Sequence, residues 1–148
     1  MRESVASIAL IQRDHNGRRQ WLAQWNKNWR RYSFVGGHKR PDESFRQCVI
    51  RETTEELQLA EGIDFFVADE RLARLDYTAW SESARQQTHY QMELFAVQLA
   101  GETAQRKVDA DPRNRWLTED EIQARRCNSG EPVSETISLL LTKANLFS

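Results

Sequence analysis

Three carboxylates, Glu52, Glu55 and Glu56, fall within five residues of one another. On a helix, residues three and four apart share a face, so Glu52 stands beside both of the others. Like charges at that spacing oppose helix formation by about 0.2–0.5 kcal/mol per pair. A divalent cation reverses the penalty, and hard oxygen ligands suit Mg²⁺ or Mn²⁺. Arg51 can pair with Glu55 or with the upstream Glu43 and hold the cluster in one geometry. Glu55-Glu56 alone is a common decoration of solvated helix faces. With Gly37 upstream, then Glu43, then Arg51-Glu52, the spacing is much rarer and points to a metal-ligating helix.

The elements around this cluster must position it. Residues 43 to 57 read as one helix, because Phe45, Val49, Thr53 and Leu57 recur at every fourth position. Pro41-Asp42 fits its start, with Asp42 as the cap. Ser33 to Gly36 is a short extended piece leading into the paired glycines. Upstream, the apolar run Val5 to Ile11 reads as a strand. Asn16-Gly17 turns it back into Gln20 to Trp25 as a hairpin. Phe65 to Val67, Arg71 to Thr78, Tyr90 to Leu99 and Arg115 to Leu117 are further strands. Trp80 to Thr88 reads as a polar loop and Gly101 to Asp111 as a polar connection. Thr118 and Glu121 have capping-box spacing and open a short helix. Ser134 to Leu146 forms a terminal helix with Ile137, Leu140, Leu141 and Ala144 on one side. Strands that come first and then mix with helices predict a layered α/β or α+β domain.

Composition narrows the classes. A length of 148 residues suits one domain, spanning residues 1–148, with a real core. The 22 acidic and 21 basic residues leave a net charge of -1, which is no footprint for bulk nucleic-acid binding. No stretch approaches the ~18–20 apolar residues needed to span a membrane, and the N-terminus lacks a secretory apolar run. Cys48 and Cys127 form no disulfide framework, so a reduced, cytoplasmic setting is expected, with Cys48 packed inside the helix.

Residues 37 to 59 resemble the Nudix box. Its pattern is Gly, five residues, Glu, seven residues, Arg-Glu, an aliphatic, any residue, Glu-Glu, any residue, Gly and an aliphatic. Gly37, Glu43, Arg51, Glu52, Glu55, Glu56 and Leu59 match it. Thr53 replaces an aliphatic, where its methyl can still pack. Gln58 replaces the closing glycine, at a cost of roughly 1 kcal/mol if it keeps a left-handed conformation, so the following loop is expected to leave at another angle.

The resemblance implies an α/β/α sandwich around a mixed sheet. It also implies Mg²⁺- or Mn²⁺-dependent hydrolysis of a nucleoside diphosphate linked to another moiety. Glu52, Glu55 and Glu56 would be catalytic metal ligands, with the main-chain carbonyl of Gly37 completing the shell. Arg51 would join the catalytic set, and Glu43 would brace the loop and helix beside it. The general base is expected at Glu55 or Glu56, or at a later carboxylate among Glu82, Glu93 and Glu102. Alternation along its strand turns Glu93 away from Met92 and Leu94, towards either a cleft or solvent.

Substrate choice lies outside the box. Trp25, Trp29, Tyr32, Tyr77 and Trp80 could stack a base, although aromatic residues in a small domain are mostly core. His38, Lys39, Lys27, Arg30, Arg31 and Arg40 surround the box loop and could meet phosphates, or form a solvated basic face. Relatives that cut dinucleoside polyphosphates often carry a tyrosine 16 to 18 residues past the box, and Tyr77 lies 18 past Leu59. ADP-ribose-cleaving members tend to carry a proline about 15 residues past it, and none stands there. The expected partner is a small nucleotide, with a homodimer as an option and neither membrane nor bulk nucleic acid. Two other readings remain: a Nudix-fold module that senses a nucleotide without cutting it, and an interaction domain whose acidic helix is only a surface.

Overall fold

A computed structural model describes residues 1–148 as strands β1 (Arg2–Leu10), β2 (Gln12–His15), β3 (Arg18–Asn26), β4 (Arg31–Ser33) and β5 (Gly36–His38), helix α1 (Phe45–Leu57), and strands β6 (Phe65–Val67), β7 (Ala73–Ser81) and β8 (Gln86–Leu99). Helix α2 (Glu102–Ala110), strand β9 (Asn114–Thr118) and helices α3 (Glu119–Ala124) and α4 (Glu135–Lys143) complete the chain. One sheet has the order β5-β1-β8-β6, with β7 also paired to β8. In it β1 and β8 run parallel and the other pairs are antiparallel. A second sheet has the order β2-β3-β4, with β9 on β3.

Alternation along the strands builds two cores. Ala9, Ile11, Leu22 and Phe95 pack with Val49 and Leu57 of α1 and with Ala104 and Val108 of α2. Their neighbours Leu10, Trp21, Ala23 and Leu94 pack on the other side with Ile122 of α3 and Ile137, Leu140 and Leu141 of α4. Both faces of these strands are therefore buried, and the expected α/β/α sandwich with a mixed sheet results. Burial on both faces also explains why residues 5–11 are an almost unbroken apolar run.

Several local readings change. Asn16 (φ 51°) and Gly17 (φ 77°) do make a tight turn, but it joins β2 to β3. The run Val5 to Leu10 is not the partner of Gln20 to Trp25 and lies beside β5 and β8; only Ile11, whose carbonyl accepts from the Leu22 amide at 2.9 Å, joins β3. Of residues 80–88, only 82–85 are a turn; the flanks are strand. β7 and β8 continue in register to Ser81 opposite Gln86, because cross-strand pairing sustains even a polar segment. Gly101 to Asp111 is largely helix α2, whose only buried residues are Ala104 and Val108, too few to reveal a period. The capping box of Thr118 with Glu121 forms as expected.

Candidate active site

Helix α1 starts later than its pattern implied. Ser44, not Asp42, is the cap: its hydroxyl accepts from the Gln47 amide at 3.0 Å, and the Gln47 side chain accepts from the Ser44 amide at 2.8 Å. Ser7 of β1 donates to the Phe45 carbonyl at 2.6 Å, and Arg46 donates to the carbonyls of Val67 and Ala68. These bonds fix the helix between two strands. At the other end Gln58 itself takes the left-handed conformation (φ 55°, ψ 46°), so the chain leaves α1 as a glycine would allow and not at another angle. The Glu56 carbonyl accepts from Gln24 Nε2 at 3.2 Å and Arg113 Nη2 at 3.3 Å, and Asp111 holds Arg113 at 2.7 Å. Thr53 is fully buried, but its hydroxyl has no partner, so packing of the methyl is only half of its effect.

Arg51 is the hub of the carboxylate cluster. Its Nε and Nη2 donate to Glu43 at 3.1 and 2.7 Å, its Nη1 to Glu52 at 2.8 Å, and Nη2 also to the His38 carbonyl at 3.0 Å. Glu55 lies 3.5 Å from Nη1 and is half exposed. The paired guanidinium, with a bond from the Arg40 amide, draws the Glu43 carboxyl down to about 2. Arg51 is in turn held charged, chiefly by its bonds to Glu43 and Glu52. One arginine thus ties the loop after β5 to the helix.

The glycines make room for the other two carboxylates. A methyl on Gly37 would stand 2.5 Å from Glu52 Cδ and 2.6 Å from its Oε1. The Gly36 amide donates to Glu56 Oε2 at 2.8 Å. Glu56 is nevertheless pushed up to about 7, first by burial and then by the neighbouring charges of Glu52 and Glu55, against the Gly36 bond and Arg113. The three box carboxylates do not converge on one point, since Glu52 leans to Arg51 and Glu56 to Gly36. They still fit a hard cation. The cradle at Gly37 admits a carboxylate where a Cβ would collide, and a crowded Glu56 with a raised pKa is relieved by added positive charge.

A cleft of about 420 Å³ opens beside Gly36, Gly37, His38 and Glu56. It is lined by Ala6 and Ile8 of β1, Tyr90 and Met92 of β8 and Tyr77 of β7, with Trp25 from the end of β3 and Lys27 and Trp29 from the β3–β4 turn. Tyr77 and Tyr90 stack with centroids 5.1 Å apart. Trp25 meets the buried Tyr32 edge-on.

The sequence-derived candidates therefore divide. His38, Tyr77, Trp25, Trp29 and Lys27 reach the cleft. Lys39 does not: its ammonium bonds the Arg40 carbonyl and lies 5.6 Å from the Phe45 ring centre. Glu93 faces neither cleft nor solvent; it is buried against Arg71 and Arg74 at 2.9 and 2.8 Å. Trp80, Glu82 and Glu102 lie on the exposed surface outside the cleft, which leaves Glu56 as its one carboxylate. Arg2, Gln24, Tyr90 and Arg113 were missed. Only Tyr90 carried a signal, two positions from Met92 on the same strand face.

A family model described as the NUDIX domain matches residues 1–136. The chain belongs to the NUDIX domain family, and its class is that of the Nudix-type pyrophosphohydrolases. Among solved structures it is similar to the Ap4A hydrolase of C. elegans, with 18% identity over 98% of this chain and 97% of the other and a TM-score of 0.60. It is also similar to the NUDIX domain of NrtR from Shewanella oneidensis, in a complex with ADP ribose (13% identity, 98% and 88% of the chains, TM-score 0.66). A NUDIX hydrolase from Nitrosomonas europaea is 22% identical over 94% and 86% of the chains, with a TM-score of 0.59. At these identities the likeness speaks for the fold. No curated protein matches the sequence. No helix is long and apolar enough to cross a membrane, and both cysteines are free and buried.

Proposed function

We propose that the protein hydrolyses a pyrophosphate bond in a nucleoside diphosphate linked to another group, with Mg²⁺ or Mn²⁺ held by Glu52, Glu55 and Glu56 and by the carbonyl of Gly37. The observation that carries this reading is the junction of the two cradled carboxylates with the cleft: Glu56 and Gly37 line it, and Arg51 holds Glu52 beside them. The bound metal would supply charge neutralisation for phosphate oxygens and a lowered pKa for water. Arg51 and Glu43 keep the loop and helix in one register. The Gly36 amide orients Glu56 towards the cleft entrance of the box. Trp25 and Trp29 offer aromatic faces for a base, worth ~1–3 kcal/mol per stack. Tyr77, behind the dinucleoside polyphosphate expectation, lines the cleft and keeps that substrate in the panel.

The test is a nucleotide panel with Mg²⁺ or Mn²⁺ and product identification in ¹⁸O-labelled water. Turnover of at least one member, lost in Glu56→Gln, is expected. Absence of turnover across the panel, with unchanged metal affinity in Glu56→Gln, would sink the proposal. Tight nucleotide binding without product would favour the sensor reading instead.

A further inference from the structure

The cleft is electrically two-ended. Glu56 is its one carboxylate and stands at the box end, while Arg2 and Lys27 are its only lysine or arginine residues. Arg2 lies at the far end. Strand register measures the separation: Gly37 pairs with Ser7, and Arg2 lies five residues before Ser7 on β1. At about 3.3 Å per residue that is roughly 17 Å between backbone positions. The guanidinium stays at that end, bonded to Thr88, which pairs with Arg2 on β8, so the separation is on the scale of an extended nucleotide.

Arg2 is held in place yet electrostatically unspent. Its Nη1 donates to Thr88 Oγ1 at 3.1 Å. Thr88 is fully buried and its hydroxyl donates on to the Gln86 carbonyl at 3.2 Å, so both roles of that hydroxyl are fixed. This is the one side-chain hydrogen bond of the guanidinium, which has no carboxylate partner. Every well-paired arginine of the molecule makes a different picture: Arg51 and Arg113 each meet a carboxylate at 2.7 Å. Half-buried cations without a counter-charge are unfavourable unless a ligand supplies it, and a guanidinium with free donors matches a phosphate or carboxylate. Between this group and the box lies the Tyr77–Tyr90 pair, with Tyr90 opposite Ser4 on β1.

We infer that Arg2 is a specificity residue for a second anionic group, phosphate or carboxylate, carried by the substrate at the end remote from the scissile pyrophosphate. The inference rests on the hydrolase reading for the position of the pyrophosphate. The substrate class becomes a nucleoside diphosphate derivative with a distal anion, bound lengthwise from the glycines to Arg2.

Matched pairs test it: ADP-ribose against its 2′-phosphorylated form for the phosphate, and UDP-glucose against UDP-glucuronate for the carboxylate. Binding is read by calorimetry in EDTA, where nothing turns over, so the result stands apart from whether the protein is a hydrolase. The wild type is expected to bind the anionic member of at least one pair about 10- to 100-fold more tightly, the range of a charged hydrogen-bonded contact. The pair that discriminates names the anion. Arg2→Gln abolishes the discrimination and Arg2→Lys restores part of it. Thr88→Val, which removes the hydroxyl but keeps the shape, reduces it while the melting temperature reports folding. Equal affinities within both pairs in the wild type overturn the inference, as does discrimination that survives Arg2→Gln in a folded protein. A loss in Arg2→Gln confined to guanine among a set of plain nucleoside diphosphates also overturns it, because Arg2 would then be reading a base edge.

Discussion

Adjacent glycines at the start of the box should fail in opposite ways when given a methyl group. At Gly36 the added carbon would lie 2.4 Å from the Ser7 carbonyl oxygen and 2.9 Å from Ile8 Cα. Both are backbone atoms of the neighbouring strand, so β5 must move away from β1. Overpacking of this kind costs about 1–3 kcal/mol. At roughly 2–4 °C per kcal/mol, Gly36→Ala should lower the melting temperature by about 2–12 °C. At Gly37 the three atoms nearest the new carbon all belong to the carboxylate of Glu52, at 2.5–2.7 Å. That is the far end of a flexible side chain, and it can swing aside at small cost. Ordinary contact then requires the carboxylate to retreat by about 1 Å, a displacement that costs on the order of 10²-fold in rate when it involves a catalytic group. Gly37→Ala should therefore melt within a degree or two of the wild type in EDTA, yet lose Mn²⁺ affinity and about 10²-fold in kcat/KM. Scanning calorimetry gives the first quantity, and electron paramagnetic resonance of free Mn²⁺ gives the second without turnover. If Gly37→Ala melts as low as Gly36→Ala while binding Mn²⁺ like the wild type, the cradle does not position Glu52 and the reasoning fails.

Other perturbations separate structure from chemistry in the same spirit. Glu56 ionises near 7 in the metal-free fold against an ordinary value of 4.5, so the folded state binds the extra proton; its contribution to stability is full below about 4.5 and is lost as pH rises through 7. Glu56→Gln should accordingly be more stable than the wild type at pH 8 in EDTA, with the gap closing towards pH 4.5 in denaturant titrations. Metal affinity of the wild type should fall by up to tenfold per unit as pH drops below 7, since the proton competes for the same oxygen. Restoring the family pattern should stabilise: Thr53→Val removes a buried hydroxyl without a partner, and Gln58→Gly relieves a left-handed residue, each by about 1 kcal/mol or roughly 2–4 °C. Glu93→Ala strips Arg71 of its carboxylate and leaves Arg74 only Gln91 and Asp76, and should cost about 1–3 kcal/mol in urea titrations, while KM stays unchanged because the site lies outside the cleft.

The box was legible because its chemistry is compressed into one helix turn and the residues that brace it. Glu52, Glu55 and Arg51 meet through spacing alone, and local sequence determines their neighbours. The cap was misplaced by two residues because both Asp42 and Ser44 suit the role, and only the reciprocal bond of Gln47 decides between them. Glu93 was ambiguous because alternation tells which face it takes but not what covers that face; Arg71 and Arg74 do so from β7 and the segment before it. Arg2 and Gln24 were invisible for a related reason. Their roles arise from partners 86 and 32 residues away, on β8 and on α1, across distances on which periodicity is silent.

The parallel pairing of β1 with β8 also sets the order of events during synthesis. Ala6 to Ile8 can pair early with β5, but Arg2 to Leu10 find their full-length partner only when Thr88 to Ala96 exist, 86 residues later. At 5–20 residues per second, the first strand waits roughly 4–17 s on the ribosome for its neighbour. The whole box, finished at residue 59, is made in that interval and has no completed sheet to lie on. Val5 to Leu10, an apolar segment with β-branched residues, thus keeps its β8-facing edge open through that interval in a growing chain. Nascent-chain protection should consequently appear in a single late step, with the first strand and the box becoming protease-resistant together once Leu99 has left the exit tunnel.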